Sequence, residues 1–234
     1  LTISLITFDL DNTLWDSEPA LIRADQAQRE WLLQHRPGTI EHHDQSSLWE
    51  FKKDLWKRHP QLSHHVSQLR IQTLYELQRV AGYSEEEAQR GAEQAFKVFL
   101  EQRQAVELYP EALEVLAVLA SRYRLGALTN GNADIYKTEA ARFFDFAFLA
   151  EDVGASKPAP DMFLAALKHC DLKANNTIHI GDSPEHDIQG AQAVGMYTVW
   201  MNPAQQAWPG GESPHRVITN LRELPEAIAS IAAS

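Results

Sequence analysis

An α/β fold is predicted: a parallel sheet covered by helices on both faces, with a bundle of four helices inserted after the first strand. Three observations carry this. Residues 3–9, ISLITFD, form a short and nearly uninterrupted apolar run, as expected of a strand buried on both faces. From about residue 17 to 104 the texture is helical only. After residue 105, strand-like and helix-like stretches alternate, the pattern of a parallel sheet with crossover helices. The first strand would be an orphan outside that later sheet, so the helical stretch is an insertion. The expected division is an α/β core at 1–16 and 105–234 and a helical domain at 17–104.

Within the insertion, SEPALIRADQAQREWLLQH (17–35) opens with Ser17 as a candidate N-cap and Pro19 in the first turn, then meets RPG. SSLWEFKKDLW repeats Leu48, Phe51 and Leu55 at helical spacing before Pro60. LSHHVSQLRIQTLYELQRVAG does the same and stops at Gly82. SEEEAQRGAEQAFKVFLEQR starts with a capping box, Ser84 with Glu87. Four such helices with short connections form an antiparallel bundle. In the second half, strands are expected at 124–129, 146–150, 176–182 and 197–201. Helices are expected around 110–122, 133–143, 160–170 and 185–194, with a loop at 201–215.

Composition narrows the function. Lys plus Arg is 21 against 32 for Asp plus Glu, a net charge of -11, which argues against holding a nucleic-acid backbone. An anionic substrate would need a local cation to overcome that field. The lone cysteine, Cys170, permits no internal disulfide and reads as a packing residue, in keeping with a reducing cytoplasm. No apolar run approaches the ~20 residues of a membrane span. LTISLITFDL lacks the basic flank and cleavage pattern of a signal peptide.

In open parallel sheets the reactive crevice lies at the carboxyl ends of the strands. Strand one ends in DLDNT (9–13) and strand two in LTNGN (128–132). Strand three is followed by GASKPAPDMF (154–163), and strand four ends in GDSPEHD (181–187). Four carboxylates (Asp9, Asp11, Asp182, Asp187), Thr129, Asn130 and Lys157 therefore converge on one crevice. Like charges so close need a cation or a reaction to use them on.

These four segments, taken together, resemble the signature motifs of the haloacid dehalogenase (HAD) superfamily of phosphohydrolases. The helical insertion resembles that superfamily's first type of cap domain. The likeness spans essentially the whole chain. It implies a Rossmann-like core with strand one central, flanked by strands two and four, and a cap that closes over the site.

By the same resemblance, Asp9 is the nucleophile that forms an aspartyl-phosphate, and Asp11 is the general acid and then the base that activates water. A Mg²⁺ ion would suit Asp9, the Asp11 backbone carbonyl and Asp182, with Asp187 supporting through water or by orienting Lys157. Thr129 and Asn130 can hydrogen-bond the phosphoryl oxygens, and Lys157 supplies charge to Asp9 and the phosphate. Asn12 stands where many relatives carry Gly or Asp.

The dehalogenases that gave the superfamily its name lack a carboxylate two positions after the nucleophile. Asp11 therefore speaks against carbon–halogen cleavage. Lys52 and Lys53 read as a charged helix face rather than as Schiff-base lysines. A sugar-phosphate mutase would share all four motifs, and a non-catalytic binding protein would not be expected to keep every catalytic position. His42–His43 and His64–His65 lack helical ligand spacing and read as exposed helix ends.

ITFDLDNTLWDSEPALIR, LTNGNAD and GASKPAPDMF are most similar to bacterial phosphatases of flavin mononucleotide (FMN) and of a riboflavin-pathway ribityl phosphate. Four of the six tryptophans (Trp15, Trp31, Trp49 and Trp56) lie in residues 15–56, in the cap or at its entry. The expected partner is a small phosphomonoester, with no nucleic acid or membrane, bound by a cytoplasmic monomer or weak homodimer.

Overall fold

A computed structural model of the chain describes residues 2–41 and 45–233. The chain separates into two compact units, Leu1–Asp16 with Glu107–Ser234, and Ser17–Val106.

The first unit is built on a six-stranded parallel sheet in the order β3-β2-β1-β4-β5-β6. Its strands are β1 (Leu5–Phe8), β2 (Arg124–Thr129), β3 (Phe146–Leu149), β4 (Thr177–Gly181), β5 (Tyr197–Met201) and β6 (Arg216–Ile218). β1 is central, as expected, and all four of its residues are buried because strands flank it and layers cover it. Phe8 is in register with Ala127 of β2 and with Ile180 of β4, so the three central strands end side by side. The Asp9 N–H still donates to the Ile180 carbonyl at 2.8 Å, which carries the pairing one residue past β1.

The helices of this unit are α5 (Ala112–Ala120), α6 (Ala150–Val153), α7 (Asp161–Cys170), α8 (Gly190–Ala193) and α9 (Leu224–Ala232). α7 packs Met162, Phe163 and Ala166 into a core with Leu5, Leu128 and Phe146 of the sheet. Cys170 ends α7 half-buried, and burial pushes its thiol above the usual range, which suits packing rather than reactivity.

Two expected helices take other forms. Residues 133–143 form two 3₁₀ turns, Ile135–Lys137 and Glu139–Phe143. The Asp134 and Thr138 side chains accept from Tyr136 and Ala140 N–H groups, and such local bonds compete with a continuous α-helix. Residues 185–194 become a π turn, Pro184–Gln189, followed by α8. Neither β6 nor α9 was expected. β6 has three residues, two of them exposed, and so shows no apolar pattern to read.

The second unit contains α1 (Glu18–His35), α2 (Gln45–Arg58), α3 (Val66–Val80) and α4 (Glu85–Arg103). Both α1 and α3 pack on α4, and α2 touches α3. Leu32, Leu74, Ala92 and Ala95 form its core. The Ser84–Glu87 capping box is present in both directions. Gly82 turns the chain with φ at +92°, a conformation glycine adopts without penalty. Ser17 makes no side-chain capping bond. The unit runs to Val106, and beyond it Tyr109 N–H donates to the Leu14 carbonyl of β1's loop.

His64 and His65 are half-buried and directly precede α3, and His42–His43 lie outside the described residues. Lys53 pairs with Glu50 at 2.8 Å. Burial and the neighbouring Arg70 hold the Lys52 ammonium below its usual range. No helix among the described residues is long and apolar enough to cross a membrane.

Candidate active site

The aligned strand ends place the acidic and basic side chains around one cleft of about 200 Å³ in the first unit. Asp9, Asp11, Thr129, Asn130, Lys157, Asp182 and Asp187 all line it, together with Asn12, Ser183 and His186.

Lys157 is the hub. Its side chain is 1% exposed, and Nζ donates to Asp9 Oδ1 at 2.6 Å, Asp187 Oδ1 at 2.6 Å and the Leu128 carbonyl at 2.7 Å. An ammonium has three protons, and all three are used. The two carboxylates hold its pKa above the usual lysine range despite burial. Asn130 fixes the lysine's backbone in turn. Its Oδ1 accepts from Lys157 N at 2.8 Å and its Nδ2 donates to the Lys157 carbonyl at 3.0 Å. One Nδ2 proton of Asn130 is engaged in this pairing. Thr129 Oγ1 accepts from Gly131 N at 3.0 Å, which leaves its hydroxyl proton to donate.

After β1 the chain turns tightly, with Thr13 and Leu14 N–H groups both donating to the Leu10 carbonyl. Asn12 takes a left-handed conformation with φ at +60°, which Asn tolerates better than most residues, so the position suits Gly, Asp or Asn alike. The turn brings Trp15 under Asp11, and Trp15 Nε1 donates to Asp11 Oδ1 at 2.8 Å. Trp15 is fully buried and cannot stack on a ligand; it orients Asp11 instead.

At the end of β4, Trp200 Nε1 donates to the Asp182 carbonyl at 2.7 Å, and Ser183 N–H donates to Asp187 Oδ2 at 2.9 Å. Gly181 is required here, because a Cβ would collide with the Asp187 side chain. His179 Nε2 adds a contact to Asp187 Oδ1 at 3.3 Å. Sequence reasoning overlooked His179 and the contact of Trp15 with Asp11. A histidine inside the otherwise apolar strand TIHIGD was the readable signal, since a buried polar group needs a partner.

Asp9, Asp182 and Asp187 offer carboxylate oxygens within 4.8 Å of one another. Three carboxylates face one ammonium, an excess of two negative charges that a divalent cation would balance. An all-oxygen donor set of this kind suits Mg²⁺. The Asp11 carboxylate is not part of this cluster. Both Asp187 oxygens accept from protein donors, Oδ1 from Lys157 Nζ and Oδ2 from Ser183 N–H. The charge excess also shows in proton affinity. Burial pushes Asp9 well above the usual carboxylate range against the pull of Lys157. Burial and Asp187 push Asp182 up to about 6.

A folded-state pKa raised above the unfolded value means the native protein holds that proton more tightly. The corresponding stability is present below about pH 4 and lost as pH rises through about 6. In chelator, the melting temperature is therefore expected to fall across that window, with a shallower fall in Asp182→Asn. Equal slopes in calorimetric scans of the two proteins would contradict the assignment.

The chain is similar to several known proteins. A family model described as haloacid dehalogenase-like hydrolase matches residues 3–195. The 5-amino-6-(5-phospho-D-ribitylamino)uracil phosphatase YigB of Escherichia coli K12 is 29% identical over 230 residues, 97% of this chain and 96% of that protein. The glyceraldehyde 3-phosphate phosphatase of Pyrococcus abyssi is 31% identical over 207 residues, 85% of this chain and 81% of that protein. A solved structure described as 2-haloacid dehalogenase from Pseudomonas syringae pv. Tomato DC3000 matches with a TM-score of 0.93 and 41% identity, covering 98% and 99% of the two chains. The magnesium-bound HAD-hydrolase YfnB of Bacillus subtilis shares the fold, with a TM-score of 0.70 at 21% identity, covering 98% of this chain and 100% of that one.

Proposed function

The chain belongs to the haloacid dehalogenase-like hydrolase family and is a phosphoric monoester hydrolase, and from that premise we propose that it works through an aspartyl-phosphate on Asp9. The observation that carries the proposal is the Lys157 ammonium bonded to Asp9 Oδ1 in a cleft also lined by Asp11. Asp9 attacks phosphorus, and the bond from phosphorus to the leaving oxygen breaks as Asp11 gives that oxygen a proton. Asp11, now a carboxylate, takes a proton from water, which attacks phosphorus and releases Asp9 and inorganic phosphate. Trp15 keeps the Asp11 carboxyl oriented for both transfers. Lys157 opposes the charge of Asp9 and the phosphoryl group, while Thr129 and Asn130 donate to the phosphoryl oxygens. Mg²⁺ held by Asp9, Asp182 and the Asp11 carbonyl would supply the remaining positive charge against which the anionic ester binds.

The substrate we propose is a phosphomonoester with a ribityl or flat aromatic leaving group, FMN or a ribityl phosphate of riboflavin synthesis. Full-length similarity to YigB supports it. The inserted unit acts in this reading as the cap. It carries Trp31, half-buried against His35, and the exposed pair Trp49–Trp56 with ring centroids 5.6 Å apart. We place the protein in the cytoplasm as a monomer or weak homodimer.

The name of the Pseudomonas syringae neighbour raises carbon–halogen hydrolysis as a second reading. Asp11, oriented by its own buried tryptophan, tells against it, because a dehalogenase has no leaving alkoxide to protonate. Rates with FMN, a ribityl phosphate, ribose 5-phosphate, a hexose phosphate and 2-chloropropionate at saturating Mg²⁺ decide among these. The ribityl or flavin ester should lead in kcat/KM, with no chloride released. A sugar phosphate ahead by about tenfold, a difference of roughly 1.4 kcal/mol, would remove the aromatic–ribityl reading. Chloride release would favour the second one.

A further inference from the structure

We infer that His179, backed by Thr7, is a positioning residue that holds Asp187 so that Lys157 stays aimed at Asp9. The inference rests on the reading of Asp9 and Lys157 as the reacting pair. Thr7 and His179 are register partners on the adjacent strands β1 and β4, and both are fully buried. Thr7 Oγ1 lies 2.8 Å from His179 Nδ1, and His179 Nε2 lies 3.3 Å from Asp187 Oδ1.

The proton positions follow from the partners. An ionised Asp187 can only accept, so Nε2 carries hydrogen. With that hydrogen on Nε2, Nδ1 is left to accept from the Thr7 hydroxyl 2.8 Å away. The Phe163 ring meets the imidazole edge-on at 5.1 Å and fixes its plane. The result is one continuous chain: Thr7 donates to His179, His179 to Asp187, and Lys157 to both Asp187 and Asp9.

An apolar residue would suit a fully buried strand position better than a histidine, because an imidazole must be compensated for its lost water. Here the compensation falls on the carboxylate that steers the site's single buried ammonium. Asp187 receives Ser183 N–H on one oxygen and Lys157 with His179 on the other, which leaves its carboxylate one orientation. A partner of this kind behind a reacting group typically accounts for about 10–100-fold in activity.

His179→Phe should lower kcat by about 10–100-fold with KM changed less than about threefold. His179→Gln, whose amide N–H can reach Asp187, should recover most of that loss. Thr7→Val, close to isosteric, should fold and should shift the imidazole ¹⁵N resonances of His179. In ¹⁵N-histidine-labelled wild type, His179 should be the Nε2-protonated tautomer. A purely structural role would lower the melting temperature of His179→Phe while leaving kcat unchanged. An unchanged kcat, or an Nδ1-protonated tautomer, overturns the inference. The tautomer is read without turnover, so it stands even where His179→Phe fails to fold. Asp9→Asn assayed in parallel tests the underlying reading: its inactivity beside an unimpaired His179→Phe would reject the positioning role alone.

Discussion

Asp9→Asn is expected to lose at least about a hundredfold in kcat, a barrier increase of roughly 2.7 kcal/mol or more, with the fold retained. Asn keeps the shape of the side chain, and its Oδ1 can still accept from Lys157 Nζ, which now bonds Asp9 at 2.6 Å. What it lacks is the anionic oxygen that attacks phosphorus and shares the charge of the cation site. Turnover by a deamidation-free preparation with the wild-type melting profile is the measurement. Activity above about one hundredth of wild type would remove Asp9 as nucleophile.

Lys157→Met should be damaging in two separate ways. The ammonium is almost fully buried between two carboxylates, and Met fills similar volume without charge. Its loss leaves Asp9 and Asp187 without their shared counter-charge. Breaking a buried pair of this kind costs about 3–5 kcal/mol. Both Asp9 and the phosphate also lose a fixed cation, and removal of one such group costs about 10²–10³ in kcat. Lys157→Arg should not restore activity, because the planar guanidinium cannot direct three bonds as the compact ammonium does. Urea unfolding and kcat together test this. A Lys157→Met protein with the wild-type urea midpoint would show that the ion pairs contribute little.

The architecture of the site was legible because each reacting side chain follows an apolar run. ISLITF, RLGALT and TIHIG read as buried strands, and a parallel sheet sets their ends beside one another, so Asp9, Thr129 and Asp182 could be grouped before any coordinates. The supporting contacts were less legible because they depend on register across strands. Nothing in sequence spacing says that Thr7 faces His179, 172 residues away. Trp15 illustrates a different failure. Its place at the cap entry gave no sign of its partner, which a tight turn sets by folding the ring into the core beneath Asp11. The 133–143 stretch has helical texture, but Asp134 and Thr138 cap their own short turns and stop the helix from propagating.

The central claim is that phosphate passes through the Asp9 carboxylate. Acid quenching within a single turnover, followed by borohydride reduction and peptide mapping, tests it most directly, because an acyl phosphate is reduced where a free carboxylate is not. The account predicts homoserine at position 9 and an unmodified Asp11. Reduction at Asp11 or Asp182, or a phosphoryl group mapped to a histidine or serine such as His186 or Ser183 of the same cleft, would contradict it.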